Sequence, residues 1–98
     1  MSKFGELIEA RIPVLLNFFS NADETSTEMN PVLRDVAVAL GDSARVIKID
    51  VDKNKELAEA LRIKELPTLM IYKNSEMKWR QSGEQETNTL VDLVKEYI

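Results

Sequence analysis

The spacing of hydrophobic residues changes several times along the chain, and each change predicts a new secondary-structure element. Residues 2–10 predict a short amphipathic helix with Ser2 as its cap, because apolar side chains recur there at helical spacing. Pro13 ends this helix, since proline disfavours helical geometry in the residue before it. Residues 14–19 are apolar on both faces, which predicts a central strand covered on both sides. The apolar positions of the first helix are Phe4, Leu7 and Ile8.

A long helix is predicted over residues 25–40, with a hydrophobic stripe along one side. Thr25 and Glu28 form a capping-box pattern, and Asp23 is a competing N-cap. Pro31 lies inside the predicted helix, so we expect a kink in the turn before it. The stripe consists of Met29, Val32, Leu33, Val36, Ala37 and Leu40.

The second half of the chain predicts three further strands and two further helices. Asn74 and Ser75 form a two-residue turn that joins the last two strands as a hairpin. The predicted strands are residues 45–51, 68–72 and 76–82, and the predicted helices are residues 55–61, capped by Asn54, and a C-terminal helix whose apolar side runs from Leu90 to Ile98.

The order of these elements predicts the fold class. Helices separate the first three strands, so right-handed crossovers would make those strands parallel, and the fourth would return as a hairpin. The sequence therefore predicts an α/β sandwich with a small mixed β-sheet of about four strands, flanked by helices on both faces. Residues 1–98 are expected to form a single domain.

Composition excludes several kinds of site and partner. The chain has no cysteine and no histidine, which excludes disulfides, zinc sites built on thiolate or imidazole, and Ser-His or Cys-His catalysis. With 17 acidic against 13 basic residues and a net charge of -4, we expect no nucleic-acid partner. No apolar run has the length of a signal peptide or a membrane span, so we expect a cytoplasmic protein with no membrane partner. We expect no cofactor and no metal ion.

Several stretches of the second half carry a specific pattern. Its most specific part is the run Leu66-Pro67-Thr68 followed by an apolar strand, 36 residues after Pro31. On these residues the chain resembles the thioredoxin family from Pro13 onward. The resemblance implies a thioredoxin-like fold in which Pro67 is the family's cis-proline and Pro31 is the kink in the second helix. The matching stretches are residues 13–19, 29–33, 49–58, 63–69 and 72–74, together with Gly83.

The residues that carry the chemistry of that family are absent here. Family members have Trp-Cys-Gly-Pro-Cys-Lys at the start of the second helix. The corresponding positions of this chain are Ala22, Asp23, Glu24, Thr25, Ser26 and Thr27. Disulfide reduction needs a low-pKa thiolate at a helix N-terminus and a second thiol that resolves the mixed disulfide, and Asp23 and Ser26 supply neither. The family's buried acid also falls on a non-ionisable residue, Asn17. We therefore expect no catalytic residue and no disulfide oxidoreductase activity.

Two functions remain open. The first is a redox-inactive thioredoxin-family domain that binds an unknown peptide or protein partner non-covalently, as a chaperone-like, adaptor or regulatory module. The alternative is a thioredoxin-family protein assigned to thiol–disulfide exchange and cell redox homeostasis by family membership alone, which would have to use a partner's cysteines. The resemblance implies that the backbone beside Pro67 accepts an extended peptide in strand fashion. The predicted groove consists of Ala22, Asp23, Ser26, Leu66, Pro67, Thr68 and Gly83.

Two side-chain groups have a functional and a structural interpretation. Asp23, Glu24 and Glu28 could hold a hard ion such as Ca²⁺ or Mg²⁺, but acidic residues at a helix start are better explained by capping and the helix dipole. Trp79 could be a recognition anchor, but strand alternation favours packing under the C-terminal helix with Met77 on the same face. We expect three methionines in the core, Met29, Met70 and Met77.

The resemblance also predicts an open sheet edge. Only 12 residues precede Pro13, enough for a helix but not comfortably for the strand that family members have there. In the family, that strand pairs with the one matching residues 45–51. We expect this edge to be open or only partly covered, guarded by the charges of Arg45, Lys48 and Asp50. The chain is expected to be a monomer, with a weak edge-strand dimer as the alternative.

Overall fold

A computed structural model describes residues 3–98, which form five α-helices, one 3₁₀ turn and one four-stranded sheet. The predicted cap Ser2 lies outside these residues. None of the described helices is long and apolar enough to cross a membrane. The helices are α1 (Lys3–Ile8), α2 (Glu24–Thr27), α3 (Asn30–Leu40), α4 (Lys55–Ala60) and α5 (Thr87–Lys95), and the 3₁₀ turn is Gly41–Ser43. The strands are β1 (Val14–Phe19), β2 (Arg45–Asp50), β3 (Thr68–Lys73) and β4 (Glu76–Ser82).

The strand order β2-β1-β3-β4 makes a mixed sheet, as predicted, but the direction of β3 differs from the prediction. β1 pairs with β2 in parallel and with β3 antiparallel. Asp50 and Thr68 pair with neighbouring residues of β1, so β2 ends and β3 begins at the same end of the sheet. A parallel crossover would have to return along β2, which is about 20 Å long. The connection of residues 51–67, which contains the six-residue helix α4, instead begins and ends at the same end of the sheet.

The long helix predicted over residues 25–40 is two helices rather than one kinked helix. Pro31 lacks an N–H, and its ring clashes with the carbonyl four residues earlier, on Thr27. α2 ends at Thr27 and α3 begins at Asn30, with Pro31 in its first turn. Proline is favoured at that position because the N–H there has no helical partner. The chain therefore breaks where a bend was expected.

Two apolar clusters lie on opposite faces of the sheet. The first packs under α3 and α5 and includes Leu15, Leu33, Val36, Leu69 and Leu90. The second packs under α1 and α4 and includes Val14, Leu16, Phe18, Met70 and Tyr72. The predicted helical stripe is confirmed except at Ala37, which is exposed.

The last strand does not alternate regularly. The β3–β4 register slips between Ile71 and Tyr72, so that Ile71 pairs with Trp79 whereas Tyr72 pairs with Met77. Ile71 and Tyr72 belong to opposite faces, so Trp79 and Met77 do not share a face as predicted. Trp79 packs against the α3/α5 cluster, which agrees with the packing interpretation. Met77 is 43% exposed and is not part of the core, because the bulge turns it outward.

Candidate functional site

One end of the sheet brings together the segments in which the site was predicted. Phe18 pairs with Thr68, and Thr68 pairs with Ser82. The loop that follows β1, the segment that precedes β3 and Gly83 after β4 are therefore neighbours at this end. The sequence-predicted groove residues all belong to these three segments or to the adjoining helix α2.

The loop after β1 is held by hydrogen bonds. The Ser20 hydroxyl donates to Asp52 Oδ2 over 2.6 Å and accepts from the Ala22 N–H at 3.2 Å. The Asp23 N–H donates to the Ser20 carbonyl at 3.1 Å. Sequence reasoning missed the role of Asp52, because the partners are 32 residues apart and no local pattern links them. Residues 20–23 consequently have a fixed conformation before any ligand binds.

Asp23 is the N-cap of α2, and Thr25, the other predicted cap, lies inside the helix. The Asp23 backbone is extended, with φ -104° and ψ 112°, and its carboxylate accepts a hydrogen bond from the Ser26 N–H at 3.3 Å. This geometry is that of an ordinary N-cap. Glu24 and Glu28 are exposed, and among residues 3–98 no cluster of three or more acidic side chains could hold a metal ion. The capping interpretation of Asp23 therefore fits its geometry.

Two polar side chains are completely buried without a hydrogen bond. Asn17 in β1 is 0% exposed, and neither its Nδ2 nor its Oδ1 has a partner. Ser26 in α2 is also 0% exposed, and its Oγ has no partner. An unpaired buried amide costs about 1–3 kcal/mol, so Asn17 reduces the stability of the domain. These are the positions where the resemblance places the family's buried acid and its second cysteine.

In the segment before β3, the backbone of Pro67 forms a hydrogen bond and the backbone of Leu66 forms none. The Leu66–Pro67 bond is cis, and the Pro67 carbonyl accepts from the Gly83 N–H at 2.8 Å. The Thr68 hydroxyl donates to the Glu65 carbonyl and lies 3.2 Å from the Ser82 hydroxyl. Neither the N–H nor the C=O of Leu66 has a hydrogen-bond partner within the described part of the chain. Leu66 is half-buried, so this backbone can still be reached from solvent.

The predicted groove residues divide into an accessible and an inaccessible set. The accessible residues are Ala22, Asp23, Leu66 and Gly83, which are exposed or half-buried. The inaccessible residues are Ser26, Pro67 and Thr68, which are buried. The latter shape the end of the sheet but present no side-chain surface to a ligand.

Two cavities lie beside these segments. One, of about 250 Å³, lies between α4 and Leu66. Its lining combines the apolar residues Val51, Ala58, Ile63 and Leu66 with the charged residues Lys55, Glu59 and Lys64. The other, of about 570 Å³, lies between the start of α3 and the residues after Gly83. Three of its lining residues are carboxylates and none is a cation. The lining consists of Glu28, Met29, Val32, Glu84, Gln85, Glu86 and Thr87.

Comparisons with known proteins agree with this architecture. The Thioredoxin family profile matches residues 1–96. The chain belongs to the thioredoxin family. It is 28% identical to a thioredoxin of Rickettsia prowazekii over 96% of this chain and 90% of that protein. It is 35% identical to the chloroplastic thioredoxin Y of rice over 96% of this chain and 56% of that protein. A solved N21Q mutant thioredoxin from Halobacterium salinarum superposes with a TM-score of 0.86 at 28% identity, covering 99% of this chain and 84% of that one.

Within the thioredoxin family, this chain is a divergent member. Its 98 residues contain no cysteine. The resemblance implies that Asp23 and Ser26 correspond to the family's Cys-x-x-Cys pair. Thiol–disulfide exchange proceeds through attack of a thiolate on a disulfide sulfur. Carboxylate and hydroxyl groups do not form the mixed disulfide, so the side chains of these residues cannot carry that reaction.

Proposed function

We propose that this domain binds extended polypeptide segments non-covalently and performs no thiol–disulfide exchange. The observation that carries the proposal is the unpaired backbone of Leu66. Leu66 is half-buried, so solvent reaches its backbone, and an unpaired N–H and C=O at the end of a strand can bond to the backbone of a ligand. An extended peptide beside Leu66 would form one N–H···O bond in each direction, as in other strand-addition modes of recognition.

The loop of residues 20–23 supports this mode. It is fixed by the bonds of Ser20 and by the cap of Asp23, so a peptide would not have to order it. A preorganised surface loses less conformational entropy on binding. The Pro67 carbonyl is already bonded to Gly83, which confines the new backbone bonds to Leu66.

The two cavities beside this surface suggest a side-chain preference. Successive side chains of an extended peptide point in opposite directions, so neighbouring residues would reach different cavities. The cavity at Ala58 and Ile63 suits an apolar side chain. The cavity lined by Glu28, Glu84 and Glu86 suits lysine or arginine. We therefore infer a preference for peptides in which apolar and basic residues alternate.

Fluorescence anisotropy with two labelled peptides tests this binding mode, one alternating valine with lysine and one alternating valine with glutamate. We expect the domain to bind the first peptide and not the second. Ala22→Arg should block the surface, and Glu84→Lys should weaken binding about 3- to 10-fold. Ala39→Arg and Asp35→Lys are matched controls on the exposed side of α3 and should have no effect. Equal binding of the two peptides, or insensitivity to Ala22→Arg, would contradict the proposal.

An insulin-reduction assay with dithiothreitol tests the redox half of the proposal separately. The natural domain should not accelerate the reaction above background. The double variant Asp23→Cys/Ser26→Cys restores the thiol pair and serves as a positive control for the assay. Acceleration by the natural domain would show that it takes part in disulfide exchange by another route.

A further inference from the structure

The outer edge of β2 presents backbone groups without a strand partner. The Arg45 N–H donates to the Pro13 carbonyl at 3.0 Å, and the Val51 N–H donates to the Phe19 carbonyl at 2.9 Å. Odd-numbered residues of β2 thus direct their backbone groups toward β1, and even-numbered ones direct theirs away from it. In the sheet formed by residues 3–98, no strand pairs with that outer side.

The side chains of Lys48 and Asp50, two of the three charges on β2, make contacts away from the backbone of this edge. The Lys48 side chain lies over the α3 face, where its Nζ is 3.5 Å from Asn30 Oδ1 and 5.9 Å from the centre of the Phe19 ring. The Asp50 carboxylate is also turned along its own chain, where it accepts from the Asp52 N–H at 2.8 Å. Edge strands are protected when charged side chains obstruct pairing. Residues 47–50 line an open groove of about 320 Å³ together with Phe4 and Leu7 of α1, so solvent reaches this part of β2 beside α1.

A cationic groove runs along the same edge on the α3 side. It has a volume of about 260 Å³, and its charged lining residues are Arg34 and Lys48, with no carboxylate. The chain as a whole has a net charge of -4, so this groove is a local exception on an acidic protein. A strand that adds here is favoured if it brings a carboxylate to the α3 face.

We propose that a second copy of this chain docks on the edge, with the two β2 strands antiparallel and the two-fold axis passing through Ile49. A two-fold axis that passes through Ile49 perpendicular to the sheet pairs even-numbered residues with even-numbered residues of the other copy. Each Lys48 would therefore face the partner's Asp50 on the α3 side. The two residues both direct their backbone groups outward, so each such pair would form two N–H···O bonds. The four bonds and two ion pairs would make one continuous eight-stranded sheet.

The charge order along β2 selects this occupant and this register. Lys48 and Asp50 lie on the same face two residues apart, so a symmetric parallel copy would oppose like charges, whereas an antiparallel copy can place opposite charges face to face. An axis through Lys48 would oppose two lysines, which is unfavourable, and an axis through Ile47 would pair Lys48 with the partner's Val46. Pairing of such short strands buries little area, so the dimer should be weak and form only at high concentration.

Sedimentation velocity over a concentration series from micromolar to millimolar tests the proposal. The natural chain should shift reversibly from monomer to dimer. Lys48→Glu and Asp50→Lys alone should each raise the dissociation constant about tenfold or more, because like charges then face each other. The double variant Lys48→Glu/Asp50→Lys keeps the net charge of -4 and restores complementary pairs, so it should dimerise like the natural chain.

Two further measurements keep the test decisive if a charge variant folds poorly. Lys48→Pro removes an outward N–H without breaking the ladder to β1 and should abolish dimerisation. The amide of Lys48 in the natural chain should exchange with solvent more slowly as concentration rises, whereas the amide of the exposed Val38 should not change. A single monomeric species at all concentrations, or a dimer insensitive to the charge series and to Lys48→Pro, would overturn the proposal.

Discussion

Replacing Asn17 with valine should stabilise the domain, because the asparagine amide is buried in β1 with no hydrogen bond. Removing the unpaired amide should recover about 1–3 kcal/mol of unfolding free energy. Valine has one side-chain heavy atom fewer, which avoids overpacking and costs about 0.8 kcal/mol of contact. Its preference for strands offsets part of that loss. We expect a net gain of about 1–2 kcal/mol, or an increase in Tm of about 5–15 °C for a domain of this size.

Urea unfolding followed by the fluorescence of Trp79, the only tryptophan, measures this effect. Asn17→Asp is the control, since it keeps the shape of the side chain and replaces the amide with an ionisable carboxyl group. Burial should raise the pKa of the new carboxyl, so the folded state binds a proton that the unfolded state releases above about pH 4. That variant should therefore lose stability as the pH rises from 4 to 7. An Asn17→Val variant that is less stable than the natural chain by 1 kcal/mol or more would refute the reasoning, because the amide would then be satisfied in solution.

Two other predictions concern the core. Trp79→Ala should lower the unfolding free energy by about 2–3 kcal/mol, because Trp79 packs against the α3/α5 cluster. Met77→Ala should change it by less than about 0.5 kcal/mol. Because Trp79→Ala removes the fluorescent probe, these variants are compared by urea unfolding followed by far-UV circular dichroism. Burial raises the pKa of the Tyr72 phenol above 10.0, and Arg80 opposes this less strongly. The folded state keeps a proton that the unfolded state loses, so stability should fall as the pH rises above about 10, and Tyr72→Phe should reduce that fall in thermal melts across this range. Equal slopes for the two proteins would contradict it.

Local patterns were sufficient for the elements that depend on neighbouring residues. The continuous apolar run 14–19 predicted β1, and the structure has a strand with those bounds. Asn74 and Ser75 predicted a tight hairpin turn, and both have positive φ, 53° and 68°, as that turn requires. The direction of β3 and the bulge opposite Tyr72 were not predictable in this way, because both depend on pairing between residues that are far apart in the sequence.

The segments of the predicted groove are neighbours in the structure, but the sequence did not show which of their residues are accessible. The resemblance located Asp23, Ser26 and Pro67, and pairing at the end of the sheet gathers their segments. The Gly83 N–H bonds to the Pro67 carbonyl, and this leaves the backbone of Leu66 unpaired. The two bonded residues are 16 apart in the sequence, so no local pattern reveals the bond. Whether a backbone N–H or C=O has a hydrogen-bond partner depends on the folded chain. The sequence pattern therefore indicated a groove without showing which of its residues a ligand could reach.

The loss of the thiols does not remove the geometry that surrounded them. The Asp23 side chain accepts a hydrogen bond from the Ser26 N–H at the start of α2, and this cap does not depend on the redox state of a thiol. The loop is therefore fixed by an N-cap and by the Ser20–Asp52 bond, neither of which changes with oxidation. In the same region Asn17 and Ser26 stay buried and unpaired at a cost in stability. Natural proteins that break a folding rule do so at functional sites, so Asn17 and Ser26 are the two positions at which a constraint other than stability should be sought.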